Sequence, residues 1–452
     1  QVLFYDWAWR ESALEIGRIA YSAVSGFLEV DPSPELLTLL TRDRERDDRP
    51  GWIRDGQRRI PSVGITGTNG KTTTTRMLAH IVRSAGRHVG WTSTSGVYID
   101  GEQVIEGDYT GPSGAWRVLQ DPVVEVAVLE TARGGILLRG LAYESNDVGV
   151  FVNVSADHLD MQGVGTVETL AEVKSVVVRV TKPDGLVVLN ADDPLVLAQR
   201  SRVQAPVLLT SQGLAAEVVA EHVADGGQAI VSDGVTIRTH RNRHCQPLID
   251  LADVPATFGG AATHMVENVL AAIGAAVGLG FSDEQIVDGL RTFRSDIRSN
   301  AGRLNVFRLD GRVVVVDYAH NEQGLEVLLG FARRMAGSSG RVCAIVGTAG
   351  DRQDAQLRGL GTMGAELADR LYLKETGRYL RGREPGEVTA LMCEGVSASR
   401  HPDRLAGTFD GEHAALVTAL ADSTAGDTIA LMCLEEQLTV LRELRDRGAE
   451  EW

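Results

Sequence analysis

Ile60-Pro-Ser-Val-Gly-Ile-Thr-Gly-Thr-Asn-Gly-Lys-Thr-Thr73 is the stretch from which the rest of the chain is read. An apolar run ending at Ile65 predicts a buried parallel strand. Thr72, Met77, Ala79, Ile81 and Val82 then recur at helical spacing up to Gly86, a C′ glycine. Strand, glycine turn and helix together make a phosphate cradle. Gly67 and Gly70 let the backbone approach an anion, the helix N-terminus aims N–H groups at it, and Lys71 adds a charge. The Thr72 hydroxyl then stands where Mg2+ would be held. The strict pattern G-x-x-x-x-G-K is not met, because its first glycine would fall on Ile65. A Gly- and Thr-rich surface turn with a chance lysine is the plain alternative. Only four lysines occur, at 71, 174, 182 and 374, so one at this point favours a nucleotide site.

Outward from that stretch, 452 residues exceed what one core usually serves, and two or three domains are expected. No apolar run is long enough to span a bilayer. Asp6, Arg10 and Glu11 interrupt the first apolar stretch, so no signal peptide is expected, and a start at Gln1 leaves room for a longer natural N-terminus. A net charge of −16 argues against a nucleic-acid partner and suits a cytoplasmic protein with no membrane partner. Cys245, Cys343, Cys393 and Cys433 are scattered and read as reduced thiols, without a zinc or disulfide frame.

Residues 1–59 carry a helical pattern, with Leu14, Ile16, Ile19, Ala20, Ala23 and Phe27 as its apolar stripe and a charged connector at 42–49. From Ile60 to about 296, strands alternate with helices, the signature of a parallel α/β sheet. The strand 124–131 ends in Glu130 with Arg133 just beyond it. The strand 148–154 delivers His158, and a helix from Thr166 carries Lys174. Asp100-Gly101 reads as a hairpin turn, residues 205–258 as a small β subdomain, and Ser282 to Gln285 as a capping box. Residues 297–452 form a second alternating unit, a Rossmann-like domain without G-x-G-x-x-G after its first strand. The fold class is α/β: a central P-loop parallel-sheet ATPase domain, a C-terminal Rossmann-like domain and a short helical N-terminal segment.

In open α/β sheets ligands bind beyond the strand C-termini, where Lys71, Glu130 and His158 all fall. Glu130 can ligate the Mg2+ shared with Thr72, since Mg2+ prefers one or two carboxylates plus phosphate and water; a strand-end salt bridge is its alternative. His158, flanked by Asp157 and Asp160, reads either as a metal ligand or as a structural histidine. Lys174, a lysine on a helix, reads by itself as solvated.

Gly67 to Thr73, Glu130, Asn153 to Leu159, Asn190 to Asp193, Asn268, Gly302-Arg303 and Asp317 to Asn321 together resemble the Mur ligase superfamily. Within it, Thr110 to Pro112, Glu130 to Ile136 and Leu380 to Arg383 look most like the Mur-type half of cyanophycin synthetases. The resemblance covers about residues 60–440. It implies an ATP-dependent acid–amino-acid ligase, in which ATP phosphorylates a carboxylate and an amine attacks the acyl phosphate. It further implies that Gly67, Thr68, Asn69, Gly70, Lys71, Thr72 and Thr73 cradle the phosphates, that Thr72 and Glu130 hold one Mg2+, and that His158 holds a second. Lys174 falls near the family's carbamoylated lysine, and Asn268, Arg303, Asp317 and His320 would contact the nucleotide. Thr110, Arg133, Arg378, Arg381 and Arg383 are the substrate candidates, the last three because their loop follows a strand and arginine clamps a carboxylate bidentately.

Cyanophycin synthetases carry an ATP-grasp half ahead of the Mur half, and other Mur ligases an N-terminal domain. Only about 60 residues precede the P-loop here. A homo-oligomer, or a partner that supplies such a domain, is therefore open. A P-loop kinase or a regulatory ATP-binding subunit competes with the ligase, but leaves His158, Lys174 and the C-terminal domain without work.

Overall fold

The computed structural model describes residues 52–156, 163–241 and 243–452. The expected helical segment before the P-loop lies almost wholly outside the described residues. Two sheets organise the rest. The first contains β1 (Ser62–Thr66), β2 (Val89–Ser93), β3 (Gly96–Ile99), β4 (Glu102–Glu106), β5 (Val126–Glu130) and β6 (Asn146–Phe151). Its other strands are β7 (Thr181–Asn190), β8 (Val207–Ser211), β9 (Gln228–Ser232), β10 (Thr236–Arg241) and β11 (His244–Asp250). The order is β11-β10-β9-β8-β7-β6-β1-β5-β2-β3-β4. From β9 to β2 the neighbours are parallel, and an antiparallel hairpin extends each end.

β1 is central and buried along its whole length, as a strand covered on both faces must be. Its register pairs Ile65 with Glu130 on one side and Thr66 with Phe151 on the other. The C-terminal ends of β1, β5 and β6 thus open side by side, where the sequence places its chemistry. The P-loop helix, Lys71–Ser84, buries Met77, Leu78, Ile81 and Val82 against the sheet and the helix Thr263–Gly278. Full burial of each such side chain contributes about 1.5–3 kcal/mol. The second helix can lie this close because Gly274 presents no side chain: a Cβ there would come within 2.8 Å of Val188. That seating brings His264, Glu267 and Asn268 to the mouth of the P-loop.

The stretch 205–258, expected as a small β subdomain, joins this sheet instead: β8 pairs with β7, and β9 to β11 continue outward. Both terminal strands are irregular. The register shifts between Val97 and Tyr98 beside β4 and between Ile237 and Arg238 beside β11. β4 exposes Glu102 and Glu106, and β11 exposes Pro247.

The second sheet comprises β12 (Asn305–Leu309), β13 (Arg312–Asp317), β14 (Val342–Val346), β15 (Arg370–Lys374), β16 (Leu405–Phe409), β17 (Thr428–Met432) and β18 (Glu450–Glu451). Its order is β16-β15-β14-β17-β13-β12-β18, parallel from β16 to β13 with antiparallel β12 and β18 at one edge. Among the described residues no helix is long and apolar enough to cross a membrane.

Candidate active site

The turn after β1 is held open by Gly70, whose φ of 82° favours glycine; a Cβ there would stand 2.1 Å from Asn268 Oδ1. The following helix has no side-chain cap and no acid in its first turn, so its amides are suited to an anion. Lys71 Nζ donates to Thr68 O at 2.8 Å, folded back over the turn it serves.

Beside this cradle, Thr72 Oγ1 donates to Glu130 Oε1 at 3.0 Å. Glu130 is only 2% exposed, and among the described residues its second oxygen has no hydrogen-bond partner. Burial pushes its carboxyl above the ordinary range, against the pull of Lys71 and Arg303. A buried carboxylate oxygen left unmatched next to a hydroxyl fits a hard divalent cation. Arg303 enters from the C-terminal side: its Nη2 donates to Thr72 Oγ1 at 3.5 Å, and its guanidinium lies 4.4 Å from the Tyr318 ring centroid. Asn69 Nδ2 donates to Gln323 Oε1 at 2.9 Å, a further bond between the two domains.

The reading of Lys174 as a solvated lysine is corrected. It is 4% exposed on the buried face of the helix Val167–Arg179, and its Nζ donates to Gly67 O at 2.6 Å. The helix packs on β1 and β6 through Val173, Val177 and Val178, which carries Lys174 beneath the turn. His158 lies outside the described residues.

Most sequence candidates converge on one cleft of about 610 Å³, lined by Thr68 to Thr73, Thr110, Glu130, Arg133, Lys174, Arg303, His320 and Arg381. Gly67 meets it through the carbonyl that holds Lys174. Asn268 and Asp317 instead line a narrower slot of about 100 Å³ that starts at Asn69, Gly70 and Thr73 and runs between the domains. Asp317 Oδ2 accepts from Leu304 N at 2.7 Å, which fixes the chain just after Arg303.

Arg378 is exposed and lies outside both cavities. Arg383, expected to clamp a substrate carboxylate, is committed to the fold. It donates to Gly350 O, Arg352 O, Asp354 and Glu387, at 2.8, 2.8, 2.7 and 2.5 Å. Those bonds use its donors to brace the loop, so of the three arginines only Arg381 faces the cleft.

Two residues absent from the sequence candidates complete the site. Asn153 Oδ1 accepts from Thr68 N at 3.2 Å and Asn69 N at 2.9 Å, while its Nδ2 donates to Glu267 Oε1 at 2.6 Å. Burial pushes Glu267 up to about 7, with the Asn153 bond pulling down and Asp193 and Asp192 adding to the rise. The available signal was position: Asn153 follows a buried strand, and Glu267 shares the mouth of its helix with His264 and Asn268.

A family model for the Mur ligase middle domain matches residues 65–276, and one for the Mur ligase glutamate ligase domain matches 302–433. The cyanophycin synthetase of Crocosphaera subtropica is 44% identical over 75% of this chain and 38% of its own length. The chain thus spans about two fifths of the cyanophycin synthetases it matches. The UDP-N-acetylmuramoyl-L-alanyl-D-glutamate–2,6-diaminopimelate ligase of Parabacteroides distasonis is 28% identical over 86% of this chain and 76% of its own. A bifunctional folylpolyglutamate synthase/dihydrofolate synthase, solved with Mn, AMPPNP and L-glutamate, superposes with a TM-score of 0.62. It is 20% identical and covers 85% of this chain and 89% of its own, which establishes a shared fold.

Proposed function

The chain belongs to the Mur ligase family, and from that premise we propose that it is an ATP-dependent ligase joining a carboxylate to the amine of an amino acid or peptide. The observation that carries this reading is Glu130: a buried carboxylate with one unmatched oxygen, beside Thr72 and Lys71, in a cleft shared by both domains. A carboxylate and a triphosphate repel each other, and Lys71, Arg303 and Arg133 line the place where they would meet.

The backbone from Gly67 to Thr73 holds the phosphates, with Lys71 on the transferred group. Thr72 and Glu130 would hold Mg2+, which would neutralise phosphate charge. The narrow slot, with Asn268 and Asp317, takes the nucleoside. The acid lies toward Thr110 and Arg133, and one of its oxygens attacks the γ-phosphorus; the P–O bond to ADP breaks and an acyl phosphate forms. The amine, held from the Arg381 side, attacks the acyl carbon, phosphate leaves, and the amine proton passes to phosphate or solvent. His320 and Arg303 sit on the C-terminal wall, whose approach excludes water from the acyl phosphate. A second cation, if held as in the family, would take His158 and a carbamoylated Lys174 as its ligands. A reaction that consumes ATP supports a cytoplasmic setting. Relatives named as ligases of 2,6-diaminopimelate support an amino acid as the amine.

ADP release tests this with short aspartyl and glutamyl peptides as acids and L-arginine, L-lysine and L-glutamate as amines. A ligase requires an acid and an amine together. A kinase releases ADP with one of them, and an idle subunit with neither; either result overturns the proposal. Lys174→Ala should lose most ligation, and added short carboxylic acids should restore part of it.

A further inference from the structure

On the C-terminal side of the cleft, β15 ends at Lys374, whose side chain is fully buried. Glu412 opens the helix Glu412–Asp422 and is equally buried. Lys374 Nζ donates to Glu412 Oε1 at 2.7 Å and to Thr376 Oγ1 at 3.0 Å. Glu412 Oε1 also accepts from Leu434 N at 2.6 Å, and its Oε2 accepts from Cys433 Sγ at 3.0 Å and Glu436 N at 2.7 Å. Glu435 N sits between the two oxygens, 3.2 Å from Oε1. Burial raises the Glu412 carboxyl, but Lys374 and the surrounding donors outweigh it and hold the group below its ordinary value.

The loop after β17 is therefore wrapped around one buried anion. Its next carboxylate reaches across to the neighbouring loop: Glu435 accepts from Gly377 N at 3.0 Å and from Arg378 N at 2.8 Å. The loop it holds leads into Tyr379 and Arg381, and the wrapped loop carries Leu434. All three line the cleft opposite Lys71 and Glu130. For stability alone a buried ion pair is a poor device, since apolar pairs of similar volume often serve as well. What an apolar pair cannot supply is an acceptor for successive backbone amides.

We infer that Lys374, Glu412 and Glu435 are positioning residues for the amine half of the reaction, setting loops 376–381 and 433–436 so that Arg381 and Tyr379 meet the incoming amine. This rests on the ligase reading above. The Lys374–Glu412 pair fixes loop 433–436, and Glu435 transmits that shape to loop 376–381. The acceptor geometry at position 435 uses both carboxylate oxygens, Oε1 for Gly377 N and Oε2 for Arg378 N.

The test compares wild type with Glu435→Ala, Glu435→Gln and the double variant Lys374→Met/Glu412→Gln. ADP release is measured with the pairs of aspartyl or glutamyl peptide and L-arginine, L-lysine or L-glutamate that turn over. Glu435→Ala should raise the amine KM about tenfold with the ATP KM within about twofold, and Glu435→Gln, which keeps one of the two acceptor oxygens, should recover part of the loss. The double variant should keep a cooperative melt and show the same split. An unchanged amine KM in Glu435→Ala overturns the inference, as does an equal rise in the ATP KM or a failure of glutamine to rescue. If the double variant does not fold, the Glu435 pair decides alone. Wild-type ADP release that ignores amines refutes the ligase reading itself, a result separate from failure of the variants.

Discussion

The phosphate cradle and the loop junction across from it face one cleft and are built in opposite ways. In the proposed cradle the backbone would do the binding: one turn of consecutive residues leads into the helix amides, and side chains such as Asn153 and Lys174 hold that turn from behind. In the junction the backbone is itself the ligand, gathered around Glu412 and Glu435 by residues far apart in sequence. The difference teaches where specificity can change. A cradle of main-chain amides serves any polyphosphate and tolerates little alteration. A loop held by carboxylates can be reshaped by a few substitutions while the phosphate chemistry stays intact.

The largest effect should fall on the cradle. Lys71→Ala is expected to remove ATP turnover by about a thousandfold or more while leaving the thermal melt unchanged, because its charge acts on phosphate. Wild-type-like turnover in the folded variant would break the contrast at its root. Next, Glu130→Gln should lower turnover by about a hundredfold and raise the Mg2+ needed for half-maximal rate. Without metal the sign reverses for stability. A carboxyl raised by burial stabilises the fold fully at low pH and loses that contribution as pH rises through its shifted value, so the metal-free Gln variant should melt higher at neutral pH.

Glu267 gives a third, smaller handle. Its value of about 7, set first by burial, means that its contribution is complete below the ordinary carboxylate range and is lost as pH rises through about 7. Glu267→Gln should flatten that dependence and gain up to about 3 kcal/mol above pH 8, measured by denaturant melts across pH. A parallel wild-type and variant pH profile would place the titration elsewhere. The smallest effect belongs to the arginine loop. Arg381→Ala should raise the amine KM about five- to tenfold, and Arg378→Ala much less, since only Arg381 lines the cleft. Equal effects would show that the loop moves as a unit on binding.

The same contrast explains what could be read from the chain. The P-loop, Glu130 and the succession of strands and helices around them rest on local signals: apolar runs, a glycine turn, and carboxylates at strand ends. Asp100-Gly101 and the box at Ser282 also appear as read, one as the turn of the β3–β4 hairpin and the other as a cap. Lys174 entered the candidates only through the family resemblance, because a helix position shows its buried face only once the sheet beneath it is known. Arg383 was assigned to substrate because nothing local reveals that Asp354 and Glu387 engage it. The Lys374–Glu412 pair was invisible, its partners being brought together by the sheet alone. Strand membership of 205–258 had the same obstacle: the pattern marks a strand, and the neighbour it pairs with is chosen at a distance.

The irregular edges of the eleven-stranded sheet bear on how the protein behaves in a crowded solution. A wide sheet with flat, apolar ends would recruit the edge of another molecule and grow by templating. Here Glu102 and Glu106 bring charge to one end, Pro247 removes a donor from the other, and register shifts beside both twist the ladders away from a flat approach. A variant with β-branched apolar residues at those three positions would keep every contact of the cleft and should still precipitate on concentration, because these residues keep neighbouring molecules apart.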